Sequence, residues 1–428
     1  MGALQKCFRF SAYTILVAAI FFAPRPCFSL TVEEAISLAM KQLPSYRATQ
    51  DRERSSHSLY QASLSPYLPS LDVTGSRVHE TQDLANYANQ QFDVTLSYTL
   101  FDWGRRKANR SIARYNWESG REALRNNVLE IAYNVRSAFY TVIADLEILE
   151  QRKIQLKDST KDYEVAQGRH KLGVARLSDV LQAGVRLEQS RFALTSAEGN
   201  FQKSLAELNS LIGRPLDKGY DAEGRLLQDV WLPPWQVLAG YAVERPEVRQ
   251  AEYAKSVAEN NKKLVNSEFF PLFSFDLSYV HGDFGGESEG TQEATTAGVF
   301  ATWNVFELGK FYRRSSTSFD IKAAQGDVDE LKRQFLLEVK RTYEDVLTAR
   351  KNITVTAKQL KLAEHNYDQA FGEYKAGKSD ILFLVQAERD LATSRVLYIT
   401  ARHDLAVSKA LLERVAGIDS LDALANSE

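Results

Sequence analysis

A short segment near residue 100 of this chain is written again about 205 residues later. Leu100-Phe101-Asp102-Trp103-Gly104-Arg105 is answered by Val305-Phe306-Glu307-Leu308-Gly309-Lys310. Lys171-Leu172-Gly173 returns as Lys375-Ala376-Gly377, and Gln182-Ala183 as Gln386-Ala387. Leu187, Arg191 and Gly213 match Leu391, Arg395 and Gly417 at a constant offset of 204. Such spacing points to two equivalent halves and a pseudo-symmetric structure. The period is far longer than the roughly 20–50 residues of a solenoid unit.

Each half has the same internal order: extended segment, loop, extended segment, very long helix, tight turn, second long helix. In Phe92-Asp93-Val94-Thr95-Leu96-Ser97-Tyr98-Thr99-Leu100 every second residue is large and apolar, and its neighbours are small or polar. Phe273 to Tyr279 repeats the pattern, and Leu71–Ser76 and Ala297–Val305 show it more weakly. Period-two alternation predicts strands with one oily and one wet face, in a membrane barrel or in a soluble sheet packed on a core. The polar stretches between them, 79–90 and 281–294, read as loops. The second holds Asp283, Glu287, Glu289 and Glu293 without a Lys or Arg, which predicts an acidic mouth or a solvated loop.

From Arg105 to Lys171 there is no proline. Ile131, Val135, Phe139, Val142, Leu146 and Leu149 follow one another at three- and four-residue steps, a helical stripe. At about 1.5 Å per residue, a helix of roughly 65 residues reaches about 100 Å, the scale of a coiled coil or a helical tunnel. Residues 310–376 form its counterpart. Return helices are predicted over 177–212 and 381–415, each closed by a glycine, Gly213 or Gly417, suited to a left-handed cap. Thr31 and Glu34 form a capping-box pair at the start of a small helix, and 44–65 and 246–268 read as shorter helices.

The first 29 residues read as a secretory signal: Lys6 and Arg9, then an apolar run from Ala12 to Ala23, then cleavage near Ser29-Leu30. The rival is a lipoprotein acylated at Cys27. Cys7 and Cys27 are the only cysteines, so the mature chain has no disulfide and no thiolate metal site. It keeps 50 basic and 55 acidic residues, a net of −5, which argues against nucleic acid as a partner. His57, His79, His170, His281, His365 and His403 are scattered without metal-ligand spacing. No nucleophile elbow, Walker loop or zinc signature is present, so no enzyme, cofactor or metal is expected. No later segment is long and apolar enough for a transmembrane helix. Four strands cannot close a barrel whose smallest membrane form has about eight, so strands in lipid require oligomerisation.

Taken together, the signal, the opening Leu30-Thr31-Val32-Glu33-Glu34-Ala35, Leu68-Pro69-Ser70-Leu71 before the first strand, the paired Phe-Asp/Glu-x-Gly-Arg/Lys junctions and the paired Lys-x-Gly turns resemble the TolC-like outer-membrane efflux family. The likeness covers essentially the whole mature chain. It implies an α+β membrane protein in the outer membrane: a homotrimer sharing a 12-stranded β-barrel, with long helical hairpins forming a periplasmic α-barrel. It also implies a periplasmic adaptor and, through it, an inner-membrane pump, with outer-membrane lipid around the barrel. By correspondence, Asp179, Gln182, Asp380, Phe383 and Gln386 line a periplasmic constriction. Phe383 and Gln386 stand where family members often carry aspartates, which favours a constriction with an aromatic ring. Lys171, Leu172, Gly173, Arg176, Lys375, Gly377 and Lys378 form adaptor-contacting tips, with Arg176 and Lys378 placed to pair with the nearby acids. Tyr67, Phe101, Trp103, Phe269, Phe270, Pro271, Trp303 and Phe306 would form a membrane-interface girdle.

The expected organisation is a signal over 1–29, a first repeat over 30–213 and an irregular connector over 214–245. A second repeat over 246–417 and a tail over 418–428 complete it. Two rival classes are a periplasmic adaptor, which should carry one hairpin and a β-rich domain, and a structural coiled coil, for which the repeat has no purpose. The leading expectation is passive export as an outer-membrane channel-tunnel subunit.

Overall fold

The computed structural model describes residues 29–82, 85–219, 221–222, 224–284 and 290–425. The expected signal segment, with Cys7 and Cys27, lies outside them, as do Glu287 and Glu289. Among the described residues no helix is long and apolar enough to cross a membrane. Two compact units alternate along the chain. A sheet unit takes 42–134, 228–354 and 404–425, and a turn unit takes 29–41, 135–227 and 355–403.

The elements run β1 (Ser29–Leu30), α1 (Val32–Gln42), α2 (Pro44–Ala62), β2 (Ser70–Gln82), β3 (Ala85–Phe101), α3 (Arg105–Lys171) and α4 (Leu177–Leu211). They continue as β4 (Asp221–Ala222), α5 (Trp235–Ala242), α6 (Pro246–Ser267), β5 (Leu272–Phe284), β6 (Gly290–Thr302), α7 (Leu308–Lys375), α8 (Ile381–Ala416) and α9 (Leu421–Ala425). The capping box at α1 forms: Thr31 N–H donates to Glu34 Oε2 at 3.1 Å and Glu34 N–H to Thr31 Oγ1 at 3.3 Å. Gly213 and Gly417 close α4 and α8 at φ 69° and 74°. On the α3 stripe Ile131, Val135, Phe139, Val142 and Leu149 are buried. The stretch 214–245 is less irregular than expected, because it carries β4 and α5. β4 pairs in parallel with β1.

In the sheet unit, β2, β3, β5 and β6 form one antiparallel sheet in that order. Leu96 stands opposite Leu71 and Leu277, and Val94 opposite Val73 and Tyr279. Leu277 in turn faces Ala297, and Phe275 faces Val299. Directly opposed residues share a face, so these side chains make one continuous apolar face. The other face is mainly polar, with Asp72, Thr74, Gln91, Asp93, Thr95, Ser97, Ser274, Asp276 and Ser278, and has Val78, Val280 and Phe300 as apolar members. Side-chain hydrogen bonds run along it from Gln91 to Asp93 and from Ser274 to Asp276. Both outer strands, β2 and β6, are 13 residues long and have a partner on one side only.

Among the described residues, the stretches 79–90 and 281–294 are strand where loops were expected. β2 and β3 reach Gln82 and Ala85, and β5 and β6 reach Phe284 and Gly290. Alternation fades there because the side chains on both faces turn polar. The ladder continues regardless, since its bonds belong to the backbone.

α2 has no buried residue at all. It is held to α3 through Trp117, whose indole N–H donates to Glu53 Oε1 at 2.7 Å while Tyr60 stacks on its ring at 5.4 Å. The C-terminal end of α8 is held by the buried guanidinium of Arg245, which donates to the Val415 carbonyl at 2.9 Å and lies 4.1 Å over the Phe335 ring.

Candidate functional site: the helical turns, the links behind them and the strand junctions

Both long hairpins reverse through the same turn. After α3, Gly173 N–H donates to His170 O at 2.9 Å and Val174 N–H to Arg169 O at 3.0 Å. After α7, Gly377 donates to Tyr374 O at 3.0 Å and Lys378 to Glu373 O at 2.9 Å. Both glycines sit at φ 75°, the left-handed conformation this motif requires. A side chain at either position would cost about 1–2 kcal/mol in backbone strain, which accounts for the paired glycines in the sequence.

The turns differ just before the return helices. Asp380 lies at the start of α8 and accepts the Leu382 N–H at 3.4 Å. Arg176, at the matching position, caps α4 with no side-chain bond. Neither Arg176 nor Lys378 forms an ion pair among the described residues, so the pairing expected of them is not made within the chain. Arg169 bridges the two turns: it stacks on Tyr374 at 4.6 Å and donates to Val174 O at 3.4 Å. Phe383 is 69% exposed and shares its helix face with Gln386, whose amide donates to Asp390 at 2.8 Å. Gln182 is also exposed and Asp179 half-buried.

Behind the turns lies a buried polar cluster that sequence reasoning missed. Gln155, Ser159 and Asp162 on α3 are buried, as are Ser190 on α4 and Glu388 on α8. Glu388, 2% exposed, is ion-paired with Arg186 of α4. Ser159 and Ser190 hydroxyls are 2.7 Å apart, and Ser159 donates to Glu388 at 3.4 Å. The Tyr367 hydroxyl of α7 donates to Asp162 at 3.1 Å, and Arg395 of α8 pairs with Asp158 at 3.2 Å. The cluster therefore ties each hairpin to the other. Burial, with Glu388 and Asp158 nearby, pushes the Asp162 carboxyl up to about 7, against the pull of the Tyr367 hydrogen bond. Burial, helped by Asp162, also raises the Tyr367 phenol. A readable signal existed: residues 155, 159, 162 and 166 follow 4, 3, 4 spacing on the buried side of α3, and three of the four are polar. Polar residues in a helical seam fix register and partner.

The strand-to-helix junctions lie in the sheet unit. Trp103 adopts φ 53°, rare for a side chain of its size. Its indole N–H donates to the Pro271 carbonyl at 2.8 Å, and its ring stacks on Phe270 at 4.5 Å and meets Phe101 edge-on at 5.0 Å. Buried Asp102 accepts from Gly104 N–H at 3.2 Å and Arg106 N–H at 2.8 Å, capping α3. Arg106 donates to Thr99 O at 2.8 Å and lies over Tyr67 at 5.2 Å. In the second repeat Trp303 donates to the Phe269 carbonyl at 3.1 Å, and Lys310 to the carbonyls of Glu268 and Asn304. Trp303 and Phe306 remain exposed. The structure thus gathers Phe101, Trp103, Phe270 and Pro271 into one group, while Tyr67 joins through Arg106 and Trp303 through Phe269.

A two-faced sheet with open edges, joined to paired helical hairpins by aromatic junctions, defines an outer-membrane channel-tunnel subunit. The family model described as "Outer membrane efflux protein" matches residues 35–214 and 241–418, and the chain belongs to this family. It is similar to protein CyaE of Bordetella pertussis, with 24% identity over 91% of this chain and 84% of that protein. It is also similar to the outer membrane efflux protein BepC of Brucella suis, with 22% identity over 77% and 73%. Among solved structures, CusC superposes with a TM-score of 0.81 at 18% identity, covering 91% of this chain and 93% of that one. Members of the family are channel proteins, and this chain is an outer-membrane efflux channel of that kind.

Proposed function

We propose that three copies of the chain close a 12-stranded barrel, and that their helical hairpins continue it as a passive duct for cargo delivered by an inner-membrane pump through a periplasmic adaptor. The observation that carries this is the sheet: one apolar face, one polar face and two open 13-residue edges. Open edges in lipid leave backbone groups unpaired at several kcal/mol each, so the sheet is complete only when copies join. Four strands per copy make twelve in a trimer. Native mass measurement in detergent is expected to give a trimer, and a stable monomer would overturn the reading. The driving energy belongs to the pump.

In this reading Lys171, Leu172, Gly173, Arg176, Lys375, Gly377 and Lys378 meet the adaptor. Tyr67, Phe101, Trp103, Phe270, Trp303 and Phe306 lie at the membrane interface, where the rings of Trp103 and Trp303, each with a bonded N–H, are favoured and the Phe rings pack beside them. Asp179, Gln182, Asp380, Phe383 and Gln386 line the constriction. Three copies of Phe383 make an apolar ring, and a narrow apolar ring closes a pore by dewetting. Phe383→Ala is expected to raise single-channel conductance in planar bilayers, and Phe383→Asp to introduce block by multivalent cations. Unchanged conductance in Phe383→Ala, with opening on neutralising Asp179 and Asp380, would make the seal ionic instead.

A further inference from the structure

We propose a specific register for the joint between copies: Ser70–Gln82 of one protomer pairs antiparallel with Gly290–Thr302 of its neighbour, with Val73 opposite Val299. The inference rests on the closed-barrel reading and adds to it the alignment of the two edges.

Antiparallel pairing follows from strand count. Successive strands in the sheet are antiparallel, so with four per protomer the last and the next copy's first also run in opposite senses. Face matching then restricts the register to steps of two, because a one-residue slip would set apolar side chains against polar ones. Of the remaining registers, only this one pairs the edges along their whole length, 13 residues against 13. It sets the exposed Val73 and Val299 against each other on the apolar face, 60% and 64% uncovered in the lone chain. It also sets His79 opposite Glu293, which already meets His281 of its own chain at 3.2 Å.

The slip around the barrel gives an independent check. Within one sheet Ser70 is level with Ser97, Asp276 and Gly298. Pairing Ser70 with Thr302 of the neighbour therefore advances the chain by four residues per four strands, one per strand. With strands about 4.8 Å apart and about 3.3 Å per residue, this tilts them by about 35°, at the edge of the roughly 35–45° seen in barrels. Moving the register by two residues gives about 19° in one direction, too upright to close. In the other it gives about 46°, at the opposite edge of the same range, so that register is set aside because it leaves two residues of each edge unpaired and separates His79 from Glu293.

The same alignment accounts for two otherwise bare apolar surfaces in the sheet unit. Leu59, Leu64 and Leu68 precede β2 and are 66%, 46% and 67% exposed. Leu308, Tyr312 and Phe319 follow β6 on one stripe of α7 and are 59%, 70% and 65% exposed. Antiparallel pairing brings the start of β2 beside the end of β6, so these surfaces meet and cover each other between copies. It also gives α2, which has no buried residue in its own chain, a neighbour besides α3.

The test uses the full protein with paired cysteines, since no cysteine occurs after Cys27. Val73→Cys with Val299→Cys is oxidised in the purified detergent-solubilised protein and run on a non-reducing denaturing gel. Asp72→Cys with Phe300→Cys covers the adjacent pair, because neighbouring pairs alternate in geometry and one of the two suits a disulfide. Val73→Cys with Ala297→Cys and with Ala301→Cys report the two shifted registers. A covalent trimer from either of the first two pairs, with neither shifted pair linking, is the expected result. Linking of a shifted pair overturns the register while leaving the closed barrel standing. An intact trimer by native mass that links through none of the four overturns the edge pairing itself, and a monomer overturns the assembly.

Discussion

Arg186→Ala is expected to loosen the helical hairpins more than any change at the exposed turns. The substitution removes the direct ion-pair partner of the Glu388 carboxylate, 2% exposed, and leaves it close to Asp162 and Ser159 with Arg152 as a remaining cation in range. Removing one partner of a buried ion pair costs about 3–5 kcal/mol, because the remaining charge stays desolvated. Amide hydrogen exchange around residues 155–166 and 384–391 should accelerate on the order of 10²–10⁴-fold, and open probability in planar bilayers should rise. Replacing both partners, Arg186→Met with Glu388→Leu, removes the stranded charge and should restore most of the protection. Unchanged exchange in the single variant would mean that the pair does not hold the hairpins.

Raising the pH from 4 to 7 should progressively weaken the same contacts, with no further loss above about 7. The Asp162 carboxyl titrates at about 7 where the hairpins are packed, and at its ordinary 3.8 once water reaches it. Burial is the main cause, reinforced by Glu388 and Asp158 and opposed by the Tyr367 hydrogen bond and Lys161. The packed form therefore holds the proton more tightly. Its advantage is complete below pH 3.8, declines as the pH rises and is gone above 7, a span of up to about 4 kcal/mol. Exchange protection of α3 near Asp162, measured across this range, should fall accordingly. Asp162→Asn stays neutral throughout and should flatten the profile. The same decline between pH 4 and 7 surviving in Asp162→Asn would assign the titration to another group.

Much of the architecture was legible because it repeats and because strands and helices leave different periods in a sequence. The long helix starting at Arg105 and ending at Lys171 was bounded by a junction motif and a turn glycine, both visible as residues. Alternation alone makes the strands too short, since Val78–Gln82 and Ala85–Gln91 lack the pattern that marks a half-buried strand while keeping their backbone partners. The turn residues were found by their doubled spacing. The cluster around Asp162 and Glu388 was not, because charged residues on a long helix ordinarily face water. Only continuing the buried stripe past Leu149 exposes Gln155, Ser159 and Asp162 as interior positions. The contacts of Asp162 and Glu388 come from α7 and α4, more than 200 residues away in sequence, and no local pattern announces them.

The two turns share a backbone but not their side chains: Asp380 precedes α8 where Arg176 precedes α4, and Lys378 stands where the first turn has Val174. In a trimer this makes six landing places of two chemical kinds, alternating around the ring. A binding partner that discriminates carboxylate from guanidinium would occupy every second place and assemble three to a channel. One that reads only the shared glycine turn could fill all six. Whether such a partner filled three places or six would depend on whether it senses the positions, Arg176 and Asp380 among them, at which the two turns have diverged.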